Sequence, residues 1–361
     1  MAGTVPPGCA DLVEAVQTNC HIADARHAAD MTLCTYLLQM REFHRWERGL
    51  GFGAALDRGA VGAWLAEREA LWTTLEEQAF RPLPLPDGLS LDPFDVAAVN
   101  ARLAPAGLHY GAGLVGAQRP VFFLAERHAV LWRDGLEVQV AGRELARGLV
   151  APPAALDNAA GRAAIVLRRE SLARWCWEKF EAFTLRRSPG SPFHAVVQAY
   201  ALDDGFDAAL PRWLDDFSEA VILHELGEHR AGQRLGTRWA DMRLSLPGRR
   251  ADLHARALRD HLADLGVTLP TLLDRGASPS IHVWFAGFDG VRESLFPDLK
   301  HAYHAWQQGD GGVALRHAAV AGEAHFWSLA QQVLDLHDRG CERAGAAIDA
   351  LLTSPQAVCR G

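Results

Sequence analysis

Pro211-Arg-Trp-Leu-Asp-Asp-Phe-Ser-Glu-Ala-Val-Ile-Leu-His-Glu-Leu-Gly-Glu-His-Arg-Ala-Gly232 is the stretch on which the reading of this chain turns. Leu214, Phe217 and Val221 recur at helical spacing, and His224 and Glu228 continue their stripe. Ile222, Glu225 and His229 form the neighbouring stripe, about 100° further round the helix. Four polar side chains able to ligate a metal thus extend the apolar side of this helix. Buried without partners they would destabilise the fold by several kcal/mol in total, so partners are expected. A divalent cation satisfies carboxylates and imidazoles together, and it is the first partner to consider.

Helical periodicity extends outward from this stretch. It runs from about residue 162 to the C-terminus, broken at Ser188-Pro-Gly-Ser-Pro192, Asp203-Asp-Gly205 and Ser278-Pro-Ser280. Residues 9–50 read as a long helix or helix pair, and two shorter amphipathic stretches follow around 61–80. Arg81-Pro-Leu-Pro-Leu-Pro-Asp-Gly88 then stops helix formation, because alternating prolines remove donors and favour an extended chain. From Gly107 to about Gly148 the period changes to short extended runs: Val121–Leu124, His128–Trp132 and Leu136–Val140. Asp134-Gly135 between the last two is a hairpin signal. The expected fold is mainly α (α+β): a bundle-like helical core with a small antiparallel β-meander insertion. Its expected parts are an N-terminal helical region (1–81), a linker with the β insertion (82–150), and a C-terminal helical region with the metal site (151–361). Gly111-Ala-Gly-Leu-Val-Gly116 matches a dinucleotide-loop pattern, but a strand-like run follows where a helix is required, so these read as glycines of a β turn.

Composition narrows the function classes. The 361 residues exceed the roughly 250–300 that a single core usually serves, so two lobes or a large domain with an insertion are expected. The 49% apolar and 22% charged shares are those of a globular chain, not a disordered one. No apolar run is long enough to span a bilayer, and the opening Met1-Ala-Gly-Thr lacks export features, so a cytoplasmic location and no membrane partner are expected. A net charge of -8 argues against a nucleic-acid partner. Cysteines 9, 20, 34, 176, 341 and 359 form no C-x-x-C pair and read as small core residues.

His224-Glu-Leu-Gly-Glu-His229 resembles the H-E-x-x-H signature of zincin metallopeptidases, lengthened by one residue as in the dipeptidyl peptidase III family. That resemblance implies zinc held by His224 and His229, Glu225 as the catalytic base, and a third, acidic ligand from a later helix. Glu293 or Asp289 in Phe288-Asp-Gly-Val-Arg-Glu-Ser-Leu-Phe296 is the candidate for that ligand, and Glu228 is a further one. On a regular helix the histidines at i and i+5 point about 140° apart, so the pair converges only if the helix bulges. The implied function is a zinc-dependent hydrolase acting on an amide or related carbonyl of a small-molecule or peptide substrate.

A second polar cluster lies near the N-terminus. Cys20, Asp24, His27, Met31, Cys34 and Leu38 follow one helical face, with His21 beside them. Asp24 and His27 are read either as a buried Asp–His hydrogen bond or, with His21, as extra ligands or orienting groups for the His224 region. This stripe, the following Thr35–Glu47 and the His-Glu helix together resemble an uncharacterised bacterial protein family, which has no assigned activity to carry over. The alternative chemistry is a non-haem di-iron or di-manganese oxidoreductase, with Asp24-x-x-His27 and Asp298-x-x-His301 as ligand pairs and Glu225, Glu228, Glu178 and Glu181 as bridging carboxylates. A third possibility is a non-enzymatic helical scaffold whose His/Glu network is structural.

Overall fold

The structure is a computed structural model that describes residues 6–115, 119–157, 163–246, 248–340 and 344–360. The chain divides into two compact units, residues 1–179 and 180–361.

The first unit opens with α1 (Ala10–His27), α2 (Leu33–Glu47) and α3 (Arg58–Leu75). Residues 9–50 are therefore a helix pair, and the six-residue stripe from Cys20 to Leu38 is not one continuous face. A 3₁₀ turn at Ala28–Asp30 breaks it, and Thr32 starts α2 by accepting a hydrogen bond from the Thr35 N–H. Cys20 and Asp24 are buried, whereas Cys34 and Leu38 are exposed. The proline-rich stretch lies within this unit, where β1 (Leu83–Pro84) pairs with β2 (Ser90–Leu91) and Leu83 and Leu85 are buried. α4 (Val96–Leu103) follows, capped by Asp95.

The expected meander is present as β3 (Leu108–Val115), β4 (Arg119–Arg133) and β5 (Leu136–Arg147), all antiparallel. Asp134 and Gly135 both take positive φ at the β4–β5 hairpin, as that turn demands. The runs Val121–Leu124 and His128–Trp132 are a single strand, because register shifts between Leu124 and Ala129 absorb the break in their alternation. Gly111 and Gly113 lie within β3, and Gly116 falls outside the described residues. The sheet is also larger than expected: β6 (Ala154–Asp157) and β7 (Ala164–Arg168) extend it in the order β3-β4-β5-β7-β6, with β7 parallel to β5. Leu12, Val16 and Cys20 of α1 pack on Tyr110, Phe122 and Leu124 of the sheet and on Val99 and Leu103 of α4. Among the described residues Cys9, Cys20, Cys176 and Cys359 are buried and unbridged, Cys34 is exposed, and Cys341 lies outside them.

Asp24 has a structural task in this unit. Its carboxylate accepts the Leu149 N–H at 3.0 Å, and His27 pairs instead with Asp30 at 3.3 Å. Burial raises the Asp24 carboxyl to about 7, against the opposing pull of the Leu149 N–H and of Arg147 and Arg68. The fold thus binds this proton more tightly than the unfolded chain, so its stabilisation is full below about 3.8 and lost as pH rises through about 7. Asp24→Asn stays neutral throughout. Its melting temperature minus that of the wild type should rise by several degrees from about pH 5 to about pH 8.5. Other titrating groups cancel in that difference, and a flat gap would mean that Asp24 is already ionised at the acid end.

α5 (Arg169–Leu185) contains the division at residue 179, and the second unit is helical among its described residues. Its elements are α6 (Pro192–Tyr200), α7 (Phe206–Leu235), α8 (Thr237–Leu244), α9 (Arg249–Ala263), α10 (Leu269–Asp274), α11 (Ser278–Ala286), α12 (Gly290–Leu295), α13 (Asp298–Gln307), α14 (Val313–Asp338) and α15 (Ala344–Leu352). Between α9 and α10 the ladder widens into a π-helical stretch, Asp264–Thr268. Pro270 has no N–H to return to the Gly266 carbonyl, and the change of register just ahead of it accommodates that loss. α9 and the π stretch pack against α7, α12 and α14. His261 lies flat on Phe326 at 4.2 Å, flanked by Phe288 and Phe296, so this histidine is a core residue and not a ligand.

Candidate metal centre

Gly227 builds this site without contributing an atom to it. A Cβ there would lie 2.5 Å from the Ala263 carbonyl oxygen and 2.8 Å from its Cα, so α7 and α9 touch backbone to backbone. His224 and Glu228 stand three residues before and one after Gly227, and Asp260 and Asp264 hold the same offsets from Ala263. Residues four apart share a helix face, so each helix turns two polar groups toward the crossing.

The geometry follows from that crossing. Asp264 Oδ1 lies 2.8 Å from His224 Nδ1, which leaves Nε2 as the free ring nitrogen, 3.9 Å from Glu228 Oε1. Donor atoms of His224, Glu228 and Asp260 all lie within 4.8 Å of one another, the one such group of His, Cys, Asp and Glu among the described residues. Two donors on one tetrahedral zinc stand about 3.4 Å apart, so closing this group on an ion takes shifts on the order of 1 Å. One nitrogen and two carboxylates suit Zn²⁺, Fe²⁺ or Mn²⁺ better than an all-oxygen cation.

Arginines also engage the cluster. Arg259 donates to both Glu228 oxygens, at 2.6 and 3.2 Å, and Arg292 lies 3.3 Å from Asp264 Oδ2. Burial opposes a charge on His224, but Asp264, Asp260 and Glu228 prevail and hold the imidazole protonated up to about 10. Burial would likewise raise Asp264, yet His224 and Arg292 hold it at about 2. Burial, with Glu228 and Asp260 nearby, pushes the Glu225 carboxyl up to about 7, and burial with Glu228 and Asp264 also raises Asp260. Burial first, and the crowding of four acids second, raises both groups above the ordinary carboxyl range.

The other sequence candidates lie elsewhere. α7 is an unbroken α-helix, without the bulge that would turn His229 toward His224, and His229 is outside the converging group. Glu293 forms an ion pair with Lys300 Nζ at 2.6 Å, and Asp289 occupies the N-cap position of α12. His21, Asp24 and His27 belong to the first unit, where His21 accepts from Trp72 Nε1 at 3.3 Å and lies 2.7 Å from Arg68 Nη1. Asp298 and His301 face each other at 3.6 Å, with His301 82% exposed. Glu178 lies 3.7 Å from Arg174. None of these joins the His224 group among the described residues.

Asp260 and Asp264 escape a reading built on histidine motifs. The sequence pattern hides them: at i, i+4 they fall on the side of the helix opposite the Leu258, Leu262 and Leu265 stripe, where acids ordinarily face solvent.

Sequence models of the N-terminal and C-terminal domains of DUF6866, a family of unknown function, match residues 11–168 and 173–355. The chain belongs to the DUF6866 family. No curated protein and no solved structure matches it significantly. The DUF6866 C-terminal domain contains the whole His224–Glu228–Asp260 group with Glu225 and Asp264, and the DUF6866 N-terminal domain contains His21, Asp24 and His27. No described helix of this DUF6866 chain is long and apolar enough to cross a membrane.

Proposed function

We propose that the C-terminal unit holds one divalent cation, zinc first, on His224, Glu228 and Asp260, and that the protein is a metal-dependent hydrolase. The observation that carries this is the Asp264–His224 contact at 2.8 Å. A carboxylate on Nδ1 fixes the tautomer and ring orientation that present Nε2 to a metal, the arrangement metal-ligating histidines commonly use. In this reading only the first two residues of the zincin-like string keep the roles expected of them, His224 as ligand and Glu225 as base, with Asp260 in the role that His229 and Glu293 were expected to fill.

A bound Zn²⁺ would lower the pKa of a coordinated water and polarise the carbonyl under attack. The chain's own part is to position and to move a proton. Asp264 orients His224, His224 and then Arg292 keep Asp264 ionised, and Glu225, raised to about 7, is poised to accept a proton near neutral pH. Arg259 must loosen its hold on Glu228 as the cation enters.

Metal analysis after purification from metal-replete medium tests this. One zinc per chain, lost in His224→Ala and Asp260→Asn, is the expected outcome. Glu225→Gln should keep the metal and lower turnover of ester, amide or phosphoester probes by roughly 10²–10⁴-fold. Two iron or manganese ions per chain would favour the di-metal oxidoreductase. A metal-free protein would leave the structural network, a reading already favoured by the bidentate Arg259–Glu228 pair.

A further inference from the structure

A cleft of about 940 Å³ opens in the first unit, and its walls include Gln17, Trp46, Phe52, Arg147 and Arg174. Arg147 is 0% exposed and Arg174 8%, an unusual depth for two guanidinium groups. Arg147 closes β5, where Gln17 bonds both its N–H and its carbonyl and so fixes its backbone at the cleft. Its Nε donates to the Gly148 carbonyl at 3.3 Å, its Nη1 lies 3.7 Å from Glu144, and its Nη2 is buried with no hydrogen-bond partner. Arg174 donates through Nη1 to Gln39 at 3.3 Å, while its buried Nε has no hydrogen-bond partner and lies 3.7 Å from Glu178.

Most carboxylates around the cleft have cationic or polar partners, although the buried Oε2 of Glu144 has no hydrogen-bond partner and lies 3.7 Å from Arg147. Glu144 accepts from Arg168 at 2.9 Å and from Ser171 at 2.7 Å, Glu170 accepts the Glu144 N–H at 2.5 Å, and Glu42 lies between Arg41 and Arg45. Burial lowers the Arg174 guanidinium to about 9 and repulsion from Arg147 adds to it, by more than Glu178 and Glu144 restore. A buried donor without an acceptor destabilises a fold, and two beside one cleft point to something that fills it.

We infer that this cleft binds a small organic oxyanion, a carboxylate or phosphate ester with a flat apolar body, whose oxygens pair with the guanidinium groups of Arg147 and Arg174. Guanidinium forks match both kinds of oxyanion. Trp46, under the Arg147 guanidinium at 5.5 Å, and Phe52, stacked on Trp177 at 6.0 Å, supply an aromatic wall for the body of the ligand.

Calorimetric titration of the full chain with phenyl phosphate, benzoate, inorganic phosphate and benzyl alcohol tests the site. Saturable binding of phenyl phosphate or benzoate is expected, at least about tenfold tighter than benzyl alcohol, because only the charged probes satisfy the guanidinium donors. The stronger of the two decides between phosphate ester and carboxylate, and inorganic phosphate reports how much the apolar body adds. Arg174→Met should weaken the stronger probe at least about tenfold while leaving the melting temperature close to wild type, since Glu178, a third exposed, returns to water when its partner is removed. Arg147→Met should weaken it similarly if it folds, and the Arg174 variant decides the matter if it does not. Equal binding of benzyl alcohol, no saturable binding of any anion at about 10 mM, or unchanged affinity in Arg174→Met would each overturn the assignment.

Discussion

Gly227→Ala is expected to destabilise the second unit by at least about 3 kcal/mol, at the upper end of what a single added methyl does in a packed core. The methyl would meet the Ala263 carbonyl, Cα and carbonyl carbon at 2.5–2.9 Å, all backbone atoms that no rotamer change can move. Relief requires α7 and α9 to separate, and separation draws His224 and Glu228 away from Asp260 and Asp264. On the proposed metal reading, the variant should therefore lose zinc affinity along with stability. Gly232, on the same helix, has open space around its would-be Cβ. Gly232→Ala is the matched control and should be neutral or slightly stabilising, because alanine is the better helix former. Denaturant melts and metal titration of both variants check this. Equal stability of the two would remove the backbone contact as the reason the four polar groups meet.

Glu144→Ala is expected to destabilise the first unit by about 3–5 kcal/mol, the usual consequence of stripping the partner from a buried ion pair. Glu144 sits on β5, 3% exposed, with Arg168 at 2.9 Å, Ser171 at 2.7 Å and Arg147 at 3.7 Å. Burial alone would raise its carboxyl, but Arg168 and Arg147 outweigh that and hold it below its ordinary value. Removing it strands two guanidinium groups that have almost no contact with water. Glu144→Gln keeps the shape and an acceptor oxygen, so it should fall between wild type and alanine. Urea unfolding followed by tryptophan fluorescence gives the ranking, and an alanine variant within about 1 kcal/mol of wild type would show that the arginines find other partners.

Local patterns carried much of this fold into the sequence. The stripe from Leu214 to Glu228 marked α7, and alternation over Leu136–Val140 with Asp134-Gly135 marked the hairpin. What escaped was decided by distant contacts. Ala28 and Ala29 are good helix formers, so nothing local but Thr32 announced the break between α1 and α2. β7 pairs in parallel with β5 across an intervening segment that includes β6, a long-range choice that the apolar run Ala164–Leu167 alone does not encode. The candidate site was half legible. His224 and Glu228 came from one motif, whereas Asp260 and Asp264 reach them only because a missing side chain on α7 admits the backbone of α9.

That crossing behaves like a pair of meshed gears. Each helix carries its two acidic or imidazole teeth at fixed offsets from the point of tangency, so what matters is phase within each helix and not the span of chain between them. Inserting one residue between His224 and Gly227, or between Asp260 and Ala263, would swing the earlier tooth by about 100° and disengage it. Residues added between the two helices would leave that phase unchanged, so the mesh tolerates a longer connection as long as Trp239 and Met242 of α8 stay buried.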